Sequence, residues 1–323
     1  MGRVFVLGSL NVDSVVRVER HPLPGETLRG GDLATFWGGK GANQAVAAAE
    51  AGADVVFIGR VGDDGDGRDY RTRLATRSID IRPLTVTKGV TTGHAMIAVD
   101  AHGENTIIVS PGANARVALS DLTLLRREEL APVTRAPFAE DGEIAAAADI
   151  DGDDARSADL AGVPSLRTTD TVYDSEPSPL SEDDVLLVSL ELDLDVVRQA
   201  IRWASATGAR IVLNLAPFAE LPADVLALAD PVIVNEHEAA ELRASGIEPD
   251  SLLVTLGPDG SRWGGITVPG SPVADVVDTT GAGDTYCGTL AARLSRGDSA
   301  QAAMKAASAA AARSVGWLGA QPA

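Results

Sequence analysis

Asp284 closes a stretch, Asp278-Thr279-Thr280-Gly281-Ala282-Gly283-Asp284, that runs into a helical pattern of Thr285, Tyr286, Cys287, Leu290, Ala291 and Leu294. Val273, Val276 and Val277 precede it and predict a strand. The stretch then carries a strand into a helix N-terminus, where N–H groups lack intrahelical partners and partial positive charge collects. Gly281 and Gly283 let the backbone approach a ligand closely, and with Ala282 they form a candidate anion hole. Asp284, in the first helical turn, sets a carboxylate beside it. That pairing suits phosphoryl transfer to a hydroxyl: the carboxylate takes the proton, and the N–H groups neutralise charge on the moving group. An Asp in a first turn can equally do no more than stabilise its helix, by about 0.3–1 kcal/mol.

A second glycine-rich stretch, Gly38-Gly39-Lys40-Gly41-Ala42-Asn43-Gln44, opens a predicted helix from Ala42 to Glu50, with Gly52 beyond its end. Its spacing is neither that of a Walker A loop nor that of a dinucleotide fingerprint. Asn11 and Asp13 follow Val4-Phe5-Val6-Leu7, an apolar run that reads as a buried parallel strand. The C-terminal ends of such strands are where open α/β sheets bind ligands. Two residues apart in extended chain, Asn11 and Asp13 share a side and suit the hydroxyls of a polar ligand. A turn closed by their own side chains is the alternative.

The string D-T-T-G-A-G-D at 278–284 resembles the C-terminal signature of the ribokinase-like (PfkB) carbohydrate kinases. G-G-K-G-A-N-Q at 38–44 resembles that family's N-terminal signature, about 240 residues earlier and in the family's order. The resemblance implies Asp284 as catalytic base, with Gly281, Ala282 and Gly283 as its anion hole. It implies a sugar site made of Asn11, Asp13, Gly39, Lys40, Asn43 and Asp284, joined by Glu191 beyond the strand Val185–Val188. Asn235-Glu236-His237-Glu238 resembles the family's N-x-x-E motif, in which Asn235 would face the triphosphate and Glu238 would support Mg²⁺ through water. A helix start rich in Glu is by itself commonplace. Thr255, Gly257 and Gly260 match the T-x-G-x-x-G nucleotide loop. Gly319-Ala320-Gln321-Pro322 resembles the family's closing loop. The resemblance implies that carbonyls at Ser314, Trp317 and Gly319 join Asp278 and Thr280 to cage K⁺. Between Leu242 and Leu252 the chain has only a short turn, where the family places a further helix and strand. The implied activity is ATP-dependent phosphorylation of a pentose at its primary hydroxyl, foremost D-ribose at O5, with Mg²⁺ and K⁺ as cofactors. Another sugar or a nucleoside is the alternative acceptor, and a sugar- or nucleotide-binding protein without turnover is the alternative class.

The elements that must position these residues alternate as buried strands and helices. They predict a three-layer α/β/α fold with a mostly parallel central sheet. Residues 14–36 read as an antiparallel ribbon and 92–110 as a hairpin about His102-Gly103. Together they would form a small β lid, which the resemblance implies covers the sugar and also serves as a homodimer surface. Residues 131–184 hold 14 Asp or Glu and 3 Arg, lack a sustained period and are expected to be a disordered acidic insertion.

The formal net charge is −19, of which that insertion carries −11. No basic field exists to attract nucleic acid or an anionic membrane surface. No apolar run approaches the ~20 residues of a membrane helix. No signal-peptide pattern opens the chain. Cys287 is the only cysteine, which excludes an internal disulfide, fits a cytoplasmic location and reads as a buried structural thiol. The four histidines show no metal-ligand spacing.

Overall fold

A computed structural model of the chain describes residues 2–123, 180–273 and 275–322. The first half contains β1 (Val4–Leu7), β2 (Asn11–Arg17), β3 (Ala34–Gly38), α1 (Lys40–Glu50), β4 (Val55–Gly62), α2 (Gly65–Thr76), β5 (Leu84–Thr87), β6 (Gly93–Val99), β7 (Asn105–Ser110) and the short α3 (Leu119–Thr123). The second half brings β8 (Val185–Ser189), α4 (Leu194–Ala206), β9 (Arg210–Asn214), α5 (Ala223–Leu226), β10 (Val232–Asn235), α6 (Glu236–Ala244) and β11 (Leu252–Thr255). It closes with β12 (Ser261–Trp263), β13 (Ile266–Val268), α7 (Ala282–Leu294) and α8 (Ala300–Ser314).

The central sheet has the order β13-β12-β11-β10-β9-β8-β1-β4-β5. It is parallel from β11 to β5, and β12 and β13 add an antiparallel edge. Side chains alternate across it. Val4, Val6, Val185 and Leu187 enter one core with residues of α1, α7 and α8, while Phe5, Leu7, Leu186 and Val188 enter the other with residues of α4, α5 and α6. Burial on both faces is why these strands read as unbroken apolar runs. The expected three layers are therefore present. The chain leaves β1 toward β4 on one side and β8 on the other, so the strand order reverses there. Ligand crevices form at such a point, outside the C-terminal strand ends.

A separate sheet of order β3-β2-β6-β7 occupies the two segments expected to form the lid. Its base is tied to the body by side chains. Asn114 accepts from the Leu10 N–H at 3.0 Å and donates to the Leu10 carbonyl and to Asn11 Oδ1, both at 2.9 Å. Asp64, the N-cap of α2, accepts from the Thr92 N–H at 2.7 Å and hydroxyl at 2.6 Å.

Two expectations change. Residues 273–277 do not form a strand: β13 is already the sheet edge, and Val273, Val276 and Val277 are exposed without a ladder. The N–H groups of Val277 and Asp278 instead reach the Val315 carbonyl after α8. A run of β-branched residues favours extended chain but cannot supply a partner strand. Residues 180–184, placed at the end of the acidic insertion, belong to the body. Leu180 is buried, and buried Asp184 accepts from Ser181 and from the Arg3 N–H at 2.8 Å. The remainder of that insertion lies outside the described residues.

Candidate active site

Helices α1 and α7 set the site because their packing places two N-termini side by side. Both carry small residues at the crossing. A Cβ added at Gly288 of α7 would collide with the Gln44 carbonyl and lie 2.8 Å from Ala47 Cβ of α1. The first turns of the two helices thus share one buried volume.

Asp284, at the third position of α7, is 6% exposed. Asn43 Nδ2 donates to its Oδ2 and Gln44 Nε2 to its Oδ1, each at 3.0 Å. Gly281 caps the helix at φ 75°, in the left-handed region, and a Cβ there would meet Ala320 Cβ at 2.6 Å. Among the described residues the N–H groups of Gly281, Gly283 and Asp284 have no acceptor, whereas that of Ala282 turns to the Thr279 carbonyl at 3.3 Å. The anion hole expected of Gly281, Ala282 and Gly283 is therefore corrected: the Ala282 N–H is engaged, and the unengaged donors at this helix start are those of Gly281, Gly283 and Asp284. Gly283 faces open space.

Lys40, Asn235, Glu238, Thr255, Gly281, Gly283 and Asp284 line one cleft with Asn214 and Cys287. The Lys40 ammonium is held above its ordinary range by the Asp284 carboxylate first, against the cost of burial, with Glu191 and Glu238 adding to it. Burial pushes the Cys287 thiol up, and Asp284 adds to the shift, so the expected structural thiol is present.

The residues expected to hold sugar continue from Lys40 on the other side. Glu191 Oε2 accepts from the Lys40 N–H at 2.9 Å and the Ser9 hydroxyl at 2.5 Å, joining the ends of β8 and β1 to α1. Gly39 has φ 86°, and a Cβ there would lie 2.8 Å from the Asn11 N. Asn11 and Asp13 sit at the start of β2, opposite Gly38 and Phe36. Gly38 has no room for a Cβ because the Asp13 carboxylate occupies that place. Asp13 Oδ1 is buried without a partner, and burial first, then the Glu191 charge, raises its carboxyl to about 7. A buried unpaired carboxylate oxygen awaits hydroxyl donors.

Asn235 and Glu238 form a capping box: Asn235 Oδ1 accepts from the Glu238 N–H and Glu238 Oε2 from the Asn235 N–H, both at 2.8 Å. The commonplace role and the cleft-lining position coexist, since Glu238 Oε1 accepts from no group among the described residues. Gly257 and Gly260 bracket a single 3₁₀ turn after Thr255, and neither lines the cleft.

Asp278 gathers the last group. Its Oδ1 accepts from the Thr280 N–H at 2.9 Å and hydroxyl at 2.7 Å, and its Oδ2 from the Gly319 N–H at 2.9 Å. Among the described residues no group donates to the carbonyls of Ser314, Trp317 or Gly319. One carboxylate and neutral oxygens that no described group engages are the chemistry that suits a monovalent cation.

Gln44, Gln321, Tyr70, Arg73, Ser9 and Asn114 join the site without having been among the residues expected there. Gln321 Nε2 donates to Asn43 Oδ1 and to the Tyr70 hydroxyl, both at 2.9 Å. Gln44 stands inside the 38–44 string and Gln321 inside the closing-loop string 319–322, both already singled out, so their positions carried a signal. The others become partners only through the tertiary fold.

The pfkB family carbohydrate kinase model matches residues 1–135 and 165–323. The unmatched stretch falls within the acidic insertion. A bifunctional ribokinase/ribose-5-phosphate isomerase A of Fructilactobacillus sanfranciscensis is 31% identical, across 91% of this chain and 49% of that protein. A ribokinase of Haemophilus influenzae is 31% identical over 98% of this chain and 93% of its own length. A solved ribokinase of Cryptococcus neoformans, in complex with ADP, superposes with a TM-score of 0.69 at 26% identity and covers 99% of this chain and 96% of its own.

Proposed function

This chain belongs to the pfkB family of carbohydrate kinases, and we propose that within it the chain transfers the γ-phosphoryl group of ATP to the primary hydroxyl of a pentose, D-ribose at O5. The names of the relatives support ribose, and the ADP complex of the fungal structure supports an adenine nucleotide. The observation that carries the reading is Asp284: buried, held by two amide donors, and lining one cleft with Lys40 and Glu238.

The parts divide the work. Asp13 and Asn11 accept sugar hydroxyls on one side of Lys40. The nucleotide lies in the cleft beside Asn235 and Thr255, with the 257–260 turn at its rim. Asp284 takes the proton of the hydroxyl as the oxygen bonds to phosphorus. The N–H groups of Gly281, Gly283 and Asp284 and the Lys40 ammonium meet the charge on the moving group. Glu238, through water, would hold Mg²⁺, which neutralises triphosphate charge when bound. Asp278, Thr280 and the carbonyls of Ser314, Trp317 and Gly319 would hold K⁺ and fix the loop that aims those N–H groups.

The small sheet would close over the sugar and pair with a second copy. Its edge strand β7 is exposed throughout, with Ile107, Ile108 and Val109 each more than half exposed. Such an edge invites association. Among the described residues no helix is long and apolar enough to cross a membrane, and we assign the enzyme to the cytoplasm.

The test is a coupled ADP-release assay with a panel of sugars and nucleosides. Ribose should give the highest kcat/KM. Turnover of a nucleoside in preference to ribose would move the acceptor, and no turnover of any acceptor would leave a binding protein.

A further inference from the structure

Asp284 meets two primary amides, and an amide can present either a donor or an acceptor. Asn43 is useful to the carboxylate only with Nδ2 turned toward it. The structure holds it that way from the far side. Asn43 Oδ1 accepts from Gln321 Nε2 at 2.9 Å. Gln321 is itself an amide that could turn, but its Oε1 faces Arg73 Nε at 3.0 Å. A guanidinium donates and never accepts. Arg73 therefore forces Oε1 toward itself and Nε2 toward Asn43. The Tyr70 hydroxyl agrees with this direction, because it donates to the Gly38 carbonyl at 2.6 Å and so accepts from Gln321. Arg73 is itself fixed by the Pro322 carbonyl at 2.6 Å and lies over the Trp37 ring at 5.6 Å. Tyr70, Asn43 and Gln321 are all buried, so water cannot replace a missing donor.

We propose that Gln321 and Arg73 are positioning residues that fix which end of the Asn43 amide faces Asp284, so that the carboxylate meets two donors and no acceptor. The proposal rests on the reading of Asp284 as the base. Every link has one polarity, set by the donor-only guanidinium at its end. The relay also gives the loop after α8 a part in the chemistry, through hydrogen bonds that cross from Arg73 of α2 to Asp284 of α7.

Gln321→Glu keeps the shape and removes the donor toward Asn43. One of its oxygens stays with Arg73; the other has no proton to give, so Asn43 turns Nδ2 toward it and Oδ1 toward Asp284. The kcat should fall by about tenfold or more, as for a displaced reacting group, with the KM for ATP changed by no more than about twofold. In an Asp284→Asn background the same substitution should change the residual rate by less than about twofold, because no carboxylate remains to orient. Arg73→Met should lower kcat in the same way, and Arg73→Lys, also a donor only, should restore most of it. If Gln321→Glu does not accumulate folded, the Arg73 pair, with thermal unfolding as control, decides the matter. Wild-type kcat in these variants, or an equal further loss in the Asp284→Asn background, overturns the proposal while leaving Asp284 as base. Full activity of Asp284→Asn alone overturns the reading of Asp284, and the relay with it.

Discussion

Asp278 and Gly319 join the loop before α7 to the loop after α8: the Asp278 carboxylate accepts the Gly319 N–H at 2.9 Å across 41 residues of sequence. Beside that bond Gly281 approaches Ala320 so closely that a Cβ would not fit. The direction of the helix-start donors therefore depends on this junction. A cation held by Asp278 and the unengaged carbonyls would stiffen it. Activity should rise severalfold when K⁺ replaces Na⁺ at constant ionic strength, and Asp278→Ala should remove the difference. Equal rates in both ions would take Asp278, Thr280, Ser314, Trp317 and Gly319 out of the site.

On the proposed reading, Asp13 would make sugar recognition depend on pH. Burial raises its carboxyl from 3.8 to about 7. The folded chain then holds this proton longer than the unfolded chain does. The folding penalty is absent below about 4, grows with rising pH and is complete above about 7. Its size is on the order of a few kcal/mol. Asp13→Asn should therefore stabilise the protein more at pH 8 than at pH 5 in thermal unfolding. Hydroxyl donors need the ionised form, so the KM for ribose should rise as pH falls below about 7, with the KM for ATP nearly level. Asp13→Ala should raise the ribose KM sharply above about pH 7, and by less below it. Equal effects on both substrates would place Asp13 outside the sugar pocket.

The contact of α1 with α7 has no slack at Gly288. Gly288→Val would press a branched side chain onto the Gln44 carbonyl and Ala47, and overpacking of this kind costs about 1–3 kcal/mol. The spreading helices would also draw Asn43 and Gln44 away from Asp284. Chemical denaturation should show a lower midpoint, and kcat should fall in the fraction that stays folded. Wild-type stability would mean that the two helix starts are not held by this contact.

Much of this was legible in the sequence. The apolar runs of β1 and β8 announced strands of the central sheet, and the two glycine-rich strings located Asp284, Lys40 and Asn43. The Asp184 bonds to Ser181 and Arg3 and the ladderless valines before Asp278 were not legible, because each depends on what the fold places opposite. The polar links from Gln321 to Tyr70 and Arg73 were hidden for the same reason: the closing loop lies about 250 residues from α2, and no period or spacing connects them.

The open edge of the small sheet supports a dimer. Ile108, 59% exposed on β7, sits at its centre. Ile108→Lys should shift a dimer toward monomer in sedimentation velocity while leaving the fold intact, since edge lysines oppose strand pairing. An unchanged dimer would place the interface elsewhere, and a wild-type monomer would remove it.

Asp284→Asn tests the central claim most directly, because it keeps the shape of the side chain and removes its charge. Calorimetric affinities for ribose and ATP should stay near those of the wild type, while kcat falls at least about 10²-fold, the usual cost of a lost general base. Retention of more than about a tenth of wild-type kcat would contradict the account and leave Asp284 a helix-start residue.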